Sequence, residues 1–552
     1  MQPLRLSRGI TQCLLGLILL SALIARLLGV HRGIPYLQEW DEPYNLGFVI
    51  GMFQRGDFNP QTFTYPSVSL YLRLPVVYAQ YFYLHARHLI GSPNDIQLFH
   101  PQAFGAGVYD WIRTYPWYSN YPSFYVWSRV LTAVLGAATV FLVYRLGTEL
   151  FDDTVGLLAA TFLTLAPGAI YYSATVRPDI PMTFFVVATA LSGVAILSGG
   201  TRRSYLVSGL LAGLAISTKQ NAFLVVLALC VAHVLNPRRK QLFDANIRFM
   251  GYCLVAGILI GTPYLLITPN EVFEQMQIVA MQYGGVPSVG LTASALPKYL
   301  MYLIRPSQGS ELHIIPHAGL GLVSGIAAAV GLAAGWRINR HSYVYLISFP
   351  LAYLLYMSGQ RTYFVRSMMP LLPFAAILAA VGSVWVWREI RSRVAAGGRT
   401  WRPAVAGLAL TALLIVPVSE SLAFVRVVNH YSDTRTEAVE WLQRNIPATD
   451  RVAFDKDLRW FLPDLDHLPF TVLFAERGEA LSWYVDQHVD VAVIGDKSPV
   501  SHMPALATFP RPPYMTRAVE EDEGWRDIYP IIDPPVFIIK VPARPVNVVP
   551  TP

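Results

Sequence analysis

Apolar stretches at about 10–30, 128–146, 154–172, 181–198, 205–218, 221–235, 249–268, 318–336, 342–358, 367–387 and 404–420 constrain this chain more than any motif does. Most approach the roughly 20 residues a helix needs to cross a bilayer's hydrocarbon. A helix is also one of only two backbones that satisfy their own polar groups there. With 54% hydrophobic and 14% charged residues, the composition is that of a membrane protein. The net charge of +7 is dispersed in small clusters between apolar runs, with no basic, aromatic-studded face, so nucleic acid is not an expected partner.

The basic clusters set the topology. Arg202-Arg203, Arg238-Arg239-Lys240, Arg337-Ile338-Asn339-Arg340 and the stretch from Arg388 to Arg402 all face the cytoplasm if about eleven helices cross the membrane. The N-terminus is then inside and the C-terminal region outside. Residues 10–30 follow Arg5 and Arg8 and lack a small-residue cleavage site, so they are expected to remain as a signal anchor. A single helix over 205–235 would bury Lys219 at mid-membrane and split the neighbouring basic clusters between two sides. Two short helices meeting at the outer surface near Lys219 are expected instead. Cys13, Cys230 and Cys253 lie in apolar runs and form neither a disulfide framework nor a CxxC metal site.

Residues 31–127 form an outer loop rich in Tyr, Trp and Phe, longer than a mere connector requires. Within it, Tyr65-Pro66 leads into a semi-apolar stretch to about Arg87, which Arg73 and Pro75 mark as an interfacial helix. After residue 424 the chain turns polar. A helix over Thr434–Asn445, strands near 451–455, 489–494 and 536–541 and a helix over 479–487 predict a small extracytoplasmic α/β domain, 425–552, behind an all-α polytopic membrane module, 1–424. No glycine-rich phosphate loop occurs in it.

Asp41 and Glu42 are adjacent carboxylates about ten residues past the first apolar run, placed to work at a membrane surface. Asp179 lies between prolines at a span edge, where it also suits a helix N-cap. Arg361 and Arg366 also suit anchorage at lipid headgroups. Asp57, Asp95, Asp110 and Asp152-Asp153 are read as ordinary loop acids. His313 and His317 share an i, i+4 spacing, but Pro316 interrupts the helix and no third ligand is indicated.

Several short motifs, in order, resemble the GT-C glycosyltransferases that use polyprenyl-phosphate sugars, specifically the protein O-mannosyltransferase and lipid A aminoarabinose transferase group of glycosyltransferase family 39. The carriers are Trp40-Asp41-Glu42-Pro43-Tyr44, Phe63-Thr64-Tyr65-Pro66, Ser128-Arg129, Ala166-Pro167 and Arg177-Pro178-Asp179-Ile180-Pro181. Gly209 to Lys219-Gln220, Arg361-Thr362-Tyr363-Phe364-Val365-Arg366 and Pro370 to Pro373 continue the series. The stretch from Asp433 to Leu442 resembles the start of that group's extracytoplasmic domain, whereas no β-trefoil insertion is present.

The resemblance implies an inverting transfer of mannose or a related sugar from a polyprenyl- or dolichyl-phosphate donor to a hydroxyl on a protein, glycolipid or glycan, at a prokaryotic plasma membrane. The expected catalytic residues are Asp41, Glu42 and Asp179, with Asp41 as the base. The expected substrate-binding residues are Lys219, Arg361, Arg366, Tyr65 and Tyr363. No cofactor is expected, although the sequence leaves a divalent metal open. A transporter or flippase of lipid-linked sugars and a non-catalytic membrane subunit are the alternative readings; the internal duplication usual in transporters is not evident.

Overall fold

The computed structural model describes residues 7–34, 41–99, 118–239, 241–284, 295–305, 318–360, 364–397, 402–430, 432–455, 458, 468–476, 478–496, 498–510 and 535–542. Each of the eleven apolar stretches carries helix. The first is α1, Arg8–Leu27, capped by Ser7, whose hydroxyl accepts from the Ile10 amide. The outer region then contributes α2, Asp41–Arg55, followed by α3, Val68–Tyr71, and α4, Leu74–Ala86.

Helix α2 was not foreseen. Its Leu46, Val49, Ile50 and Phe53 recur at helical spacing and pack with Leu74, Val77, Leu84, Phe124 and Tyr125, so the helix is buried on several sides. Pro43 falls in its first turn, where no backbone N–H is needed. Helix α4 buries Leu74, Val77 and Leu84 and exposes Tyr78, Phe82 and Tyr83.

Next come α5, Ser123–Leu150; α6, Asp153–Leu165; α7, Pro167–Ser173; α8, Asp179–Leu197; and α9, Arg202–Ile216. Helices α6 and α7 meet at 63°, because Pro167 has no N–H to continue the α6 ladder. Asp152 caps α6 and also pairs with Arg388 at 3.2 Å, so the expected inner turn and the inner basic stretch meet at one end of the bundle.

Helix α9 stops before Lys219, whose backbone is extended; a 3₁₀ turn over Gln220–Leu224 then starts α10, Val225–Leu235. The Tyr205 hydroxyl meets His233 Nδ1 at 2.7 Å, and Arg238 donates to the Gly199 carbonyl at 3.2 Å. The two helices therefore form a hairpin with its bend at Lys219, as the charge argument required.

The bundle is completed by α11, Ala245–Gly261; α12, Tyr264–Ile267; α13, Pro269–Gly284; α14, Leu296–Ile304; α15, Leu322–Ile338; α16, Arg340–Ser358; α17, Leu372–Gly397; and α18, Arg402–His430. Small residues let neighbours approach closely. A Cβ on Gly331 of α15 would run into the Leu378 carbonyl of α17, and one on Gly382 into that of Ala327. By length and composition, four helical stretches among the described residues can cross a membrane, Arg8–Leu27, Ser123–Leu150, Asp179–Leu197 and Val365–Ser392, or five with the bent α6–α7 pair. Gln220–Leu235, Ala245–Gly261 and Leu322–Ile338 are apolar but shorter.

Beyond residue 432 lie α19, Thr434–Asn445, and α20, Leu481–Asp486, with a five-stranded sheet. A separate antiparallel pair, β1, Leu98–Phe99, and β2, Tyr118–Ser119, belongs to the outer region. The sheet comprises β3, Arg451–Asp455; β4, Thr471–Ala475; β5, Val491–Gly495; β6, Ala505–Phe509; and β7, Val536–Lys540. Its order is β4-β3-β5-β7-β6; β4, β3 and β5 run parallel, while β7 is antiparallel to both β5 and β6. Val452, Phe454, Val491 and Val493 pack with Ala438, Val439 and Leu442 of α19. The alternate residues Ala453, Ala492 and Ile494 pack with Tyr484 of α20. Both faces are covered, which explains the unbroken apolar run of β5.

Candidate active site

The first turn of α2 points its two acids in different directions. Glu42 is fully buried, and its carboxylate accepts from Arg129 Nε at 2.8 Å and Nη2 at 2.5 Å. It also accepts from the Val176 amide at 2.8 Å. Arg129 Nη1 donates in turn to the carbonyls of Val30 and Arg32, at 2.8 and 2.7 Å. A charge pair this deep persists only when its remaining polar atoms are satisfied, and here it ties α2, α5, the end of α1 and the α7–α8 connector together.

Next to the anchored Val176, Arg177 places its Nε 3.6 Å from Asp41 Oδ2. The buried Arg73 holds the same connector, donating to the Arg177 carbonyl at 3.0 Å and to Ser69 and Thr132. From the other side comes Arg366, carried on the 3₁₀ segment Val365–Leu371 that leads into α17. Its Nη2 is also 3.6 Å from Asp41 Oδ2, and its guanidinium lies 4.1 Å from the Phe364 ring centroid. Asp41 itself keeps a third of its side chain exposed. Burial works to raise its pKa, but Arg177, Arg366 and Lys219 together outweigh that and hold the carboxyl below its ordinary value.

Lys219 differs from its expected exposure: it is 2% exposed and bound to Asp179 at 2.7 Å. Burial alone would favour its neutral form, and the Asp179 carboxylate reverses this and raises its pKa. The ammonium also sits 5.4 Å from the Tyr65 ring centroid. Burial, more than neighbouring charge, pushes the Tyr65 phenol up to about 12, leaving it an O–H donor.

The segment bearing Tyr65 is fixed locally. Tyr44 of α2 bonds Thr62 and Thr64 through its hydroxyl at 2.7 and 3.0 Å, Gln220 donates to the Thr64 carbonyl at 2.9 Å, and the Val68 amide donates to Ser217 at 2.9 Å.

The structure thus brings Asp41, Asp179, Lys219, Arg366 and Tyr65 into one neighbourhood and turns Glu42 inward. Arg361 and Tyr363 lie outside the described residues, as do His313, His317 and Asp110. Asp57 pairs with Arg55, and Asp95 caps Gly91 and Ser92. Among the described residues no group of three or more His, Cys, Asp or Glu side chains is placed to hold a metal ion.

Sequence reasoning missed Arg177 and Arg129 as site-building residues. Both were legible as cations at the edges of apolar runs, and Arg177 shares its triplet with Asp179. A carboxylate with an open edge between two guanidiniums can accept a proton while an anion is held beside it.

This bundle is the fold of the GT-C glycosyltransferases. ArnT from Cupriavidus metallidurans bound to undecaprenyl phosphate superposes with a TM-score of 0.52 at 13% identity, over 97% of this chain and 98% of that one. Its apo state gives 0.53 at 13% identity, over 90% and 96%. The apo oligosaccharyltransferase of Archaeoglobus fulgidus gives 0.47 at 12% identity, over 89% and 70%. No curated protein matches the chain in sequence.

In sequence, residues 126–267 match the family described as dolichyl-phosphate-mannose-protein mannosyltransferase. That stretch holds Arg129, Arg177, Asp179 and Lys219. The resemblance to GT-C glycosyltransferases is borne out, as is the enzyme class, a glycosyltransferase with several apolar helices for a membrane.

Proposed function

We propose that this chain is an inverting glycosyltransferase that moves a sugar, mannose by resemblance, from a polyprenyl-phosphate donor to an extracytoplasmic hydroxyl on a protein, glycolipid or glycan. The observation that carries the reading is the partly exposed Asp41 carboxylate held between Arg177 and Arg366, each at 3.6 Å, beside the Lys219–Asp179 pair. Asp41 takes the acceptor's proton as its oxygen attacks the anomeric carbon. The bond from that carbon to the phosphate oxygen breaks on the opposite face, and its electron pair stays on the phosphate.

A phosphate leaving group is already a stable anion, so fixed positive charge serves it better than an acid. Arg366, Arg177 and Lys219 supply that charge, with Tyr65 beside Lys219; Arg361 and Tyr363 are assigned to substrate binding by the resemblance alone. Once the guanidiniums engage the donor phosphate they neutralise Asp41 less, and it becomes a stronger base when the acceptor needs one. Asp179 keeps Lys219 in place, and Glu42 positions the connector that bears Arg177. About eleven spans, a site on the outer face and an extracytoplasmic domain at 425–552 complete the proposal.

Arg366→Gln is expected to weaken donor binding about 10- to 100-fold, the equivalent of a lost charge-assisted contact of roughly 1.5–3 kcal/mol. Arg361→Gln and Lys219→Met should act in the same direction. The Arg366 change also removes a charge that lowers the Asp41 pKa, so the acid limb of kcat/KM should move to higher pH. Titration of purified variants with a polyprenyl-phosphate sugar tests this, and unchanged affinity with an unmoved limb would return these cations to headgroup anchorage.

Sidedness is testable by cysteine labelling. Gln61→Cys and Glu476→Cys should react from outside, and Arg203→Cys and Arg337→Cys only after permeabilisation. Labelling of Gln61→Cys and Arg203→Cys from one side would overturn the topology.

A further inference from the structure

Next to the Lys219–Asp179 pair is a set of neutral polar groups that the proposed proton transfer and phosphate clamp do not use. Asn221, two residues past Lys219, donates its Nδ2 to the Tyr353 hydroxyl at 2.9 Å, while its Oδ1 is buried with no hydrogen-bond partner among the described residues. The Tyr283 hydroxyl is buried and unpartnered in the same sense. The Tyr283 ring packs edge-on against Phe364, with centroids 5.6 Å apart, two residues before Arg366. Its phenol is within electrostatic range of Lys219, Tyr65 and Tyr353, and Tyr353 is within range of Asp179.

Buried amide oxygens and phenols are rarely left without partners, because each has given up its water. A ligand rich in hydroxyls supplies what is missing here: donors for Asn221 Oδ1 and acceptors for the two phenols. We propose that Asn221, Tyr353 and Tyr283 bind the hydroxyls of the transferred sugar and select a neutral sugar over one bearing an amine; this rests on the reading of the site as a polyprenyl-phosphate-sugar transferase.

Charge supports the second half of the inference. Among the described residues, Arg177, Arg366 and Lys219 face the carboxylates of Asp41 and Asp179, and both carboxylates are already engaged by those cations. A sugar ammonium would meet three fixed cations and, among the described residues, no uncommitted carboxylate. A neutral polyol would meet an amide oxygen and phenols in a desolvated setting, where a lost hydrogen bond discriminates strongly.

The test measures the affinity of nanodisc-embedded protein for three probes: undecaprenyl phosphate, undecaprenyl-phosphate mannose and undecaprenyl-phosphate 4-amino-4-deoxyarabinose. The wild type should bind the mannose lipid more tightly than the amino-sugar lipid. Asn221→Leu should lower mannose-lipid affinity by about tenfold or more while leaving undecaprenyl phosphate within about twofold. Tyr353→Phe should act in the same direction by less. The sugarless lipid reports on the fold and phosphate clamp of the same preparations. Equal effects of Asn221→Leu on sugar-bearing and sugarless lipids, or tighter binding of the amino-sugar lipid by the wild type, would overturn the inference. Binding of none of the three by the wild type would instead sink the transferase reading on which it rests.

Discussion

Asp41→Asn is expected to reduce turnover by about 10²-fold or more, the usual loss when a general base is removed, while donor affinity stays level or improves. The direction of the affinity change is the informative part. Asp41 sits 3.6 Å from both Arg177 and Arg366, and in the proposed mechanism it competes with the donor phosphate for them. An amide of the same size removes that competition and the base together. A residue that only held the site in shape would lose donor affinity along with turnover. Separate measurement of kcat and donor affinity on one folded preparation distinguishes the two.

Glu42→Gln should have the largest effect on stability, because it leaves the Arg129 guanidinium buried without its carboxylate. Breaking a buried ion pair in this way typically costs about 3–5 kcal/mol. Arg129 retains the carbonyls of Val30 and Arg32, so the effect should fall at the low end of that range. Replacing both members by leucine should be less damaging than replacing either alone, since no orphan charge remains. Thermal unfolding in detergent checks this. A Glu42→Gln protein that melts with the wild type would show that the pair does not hold α2 to α5.

What the sequence disclosed follows from how far each interaction reaches along the chain. Apolar period and connector charge are local, so the helices of the bundle were legible. So was the α9–α10 hairpin, because a lysine at mid-membrane is costly whatever surrounds it. Three strands of the sheet, β3, β5 and β7, were legible for the same reason, as short β-branched runs between turn signals, whereas the edge strands β4 and β6 were not. Lys219 was placed correctly along the chain and wrongly in exposure, since its partner Asp179 is 40 residues away and no pattern joins them.

Arg177 was not read as a site residue for a stronger form of that reason: its ion pair with Asp41 spans the outer region, α5 and the α6–α7 bend. The division of labour between Asp41 and Glu42 was also invisible. Neighbours in a first helical turn point about 100° apart, and only the packing of α2 decides which faces Arg129 and which the open side. Helix α2 was obscured by the aromatic and proline content of its surroundings, although its own 46, 49, 50, 53 spacing carried the signal.

The most direct test of the account follows the donor itself. Purified wild type and Asp41→Asn would be incubated with radiolabelled undecaprenyl-phosphate mannose and a mixed pool of hydroxyl acceptors, and the release of free undecaprenyl phosphate measured over time. The account predicts acceptor-dependent release by the wild type, with label appearing in product, and about 10²-fold slower release by Asp41→Asn at equal donor occupancy. Release by a well-folded Asp41→Asn protein at the wild-type rate would contradict it.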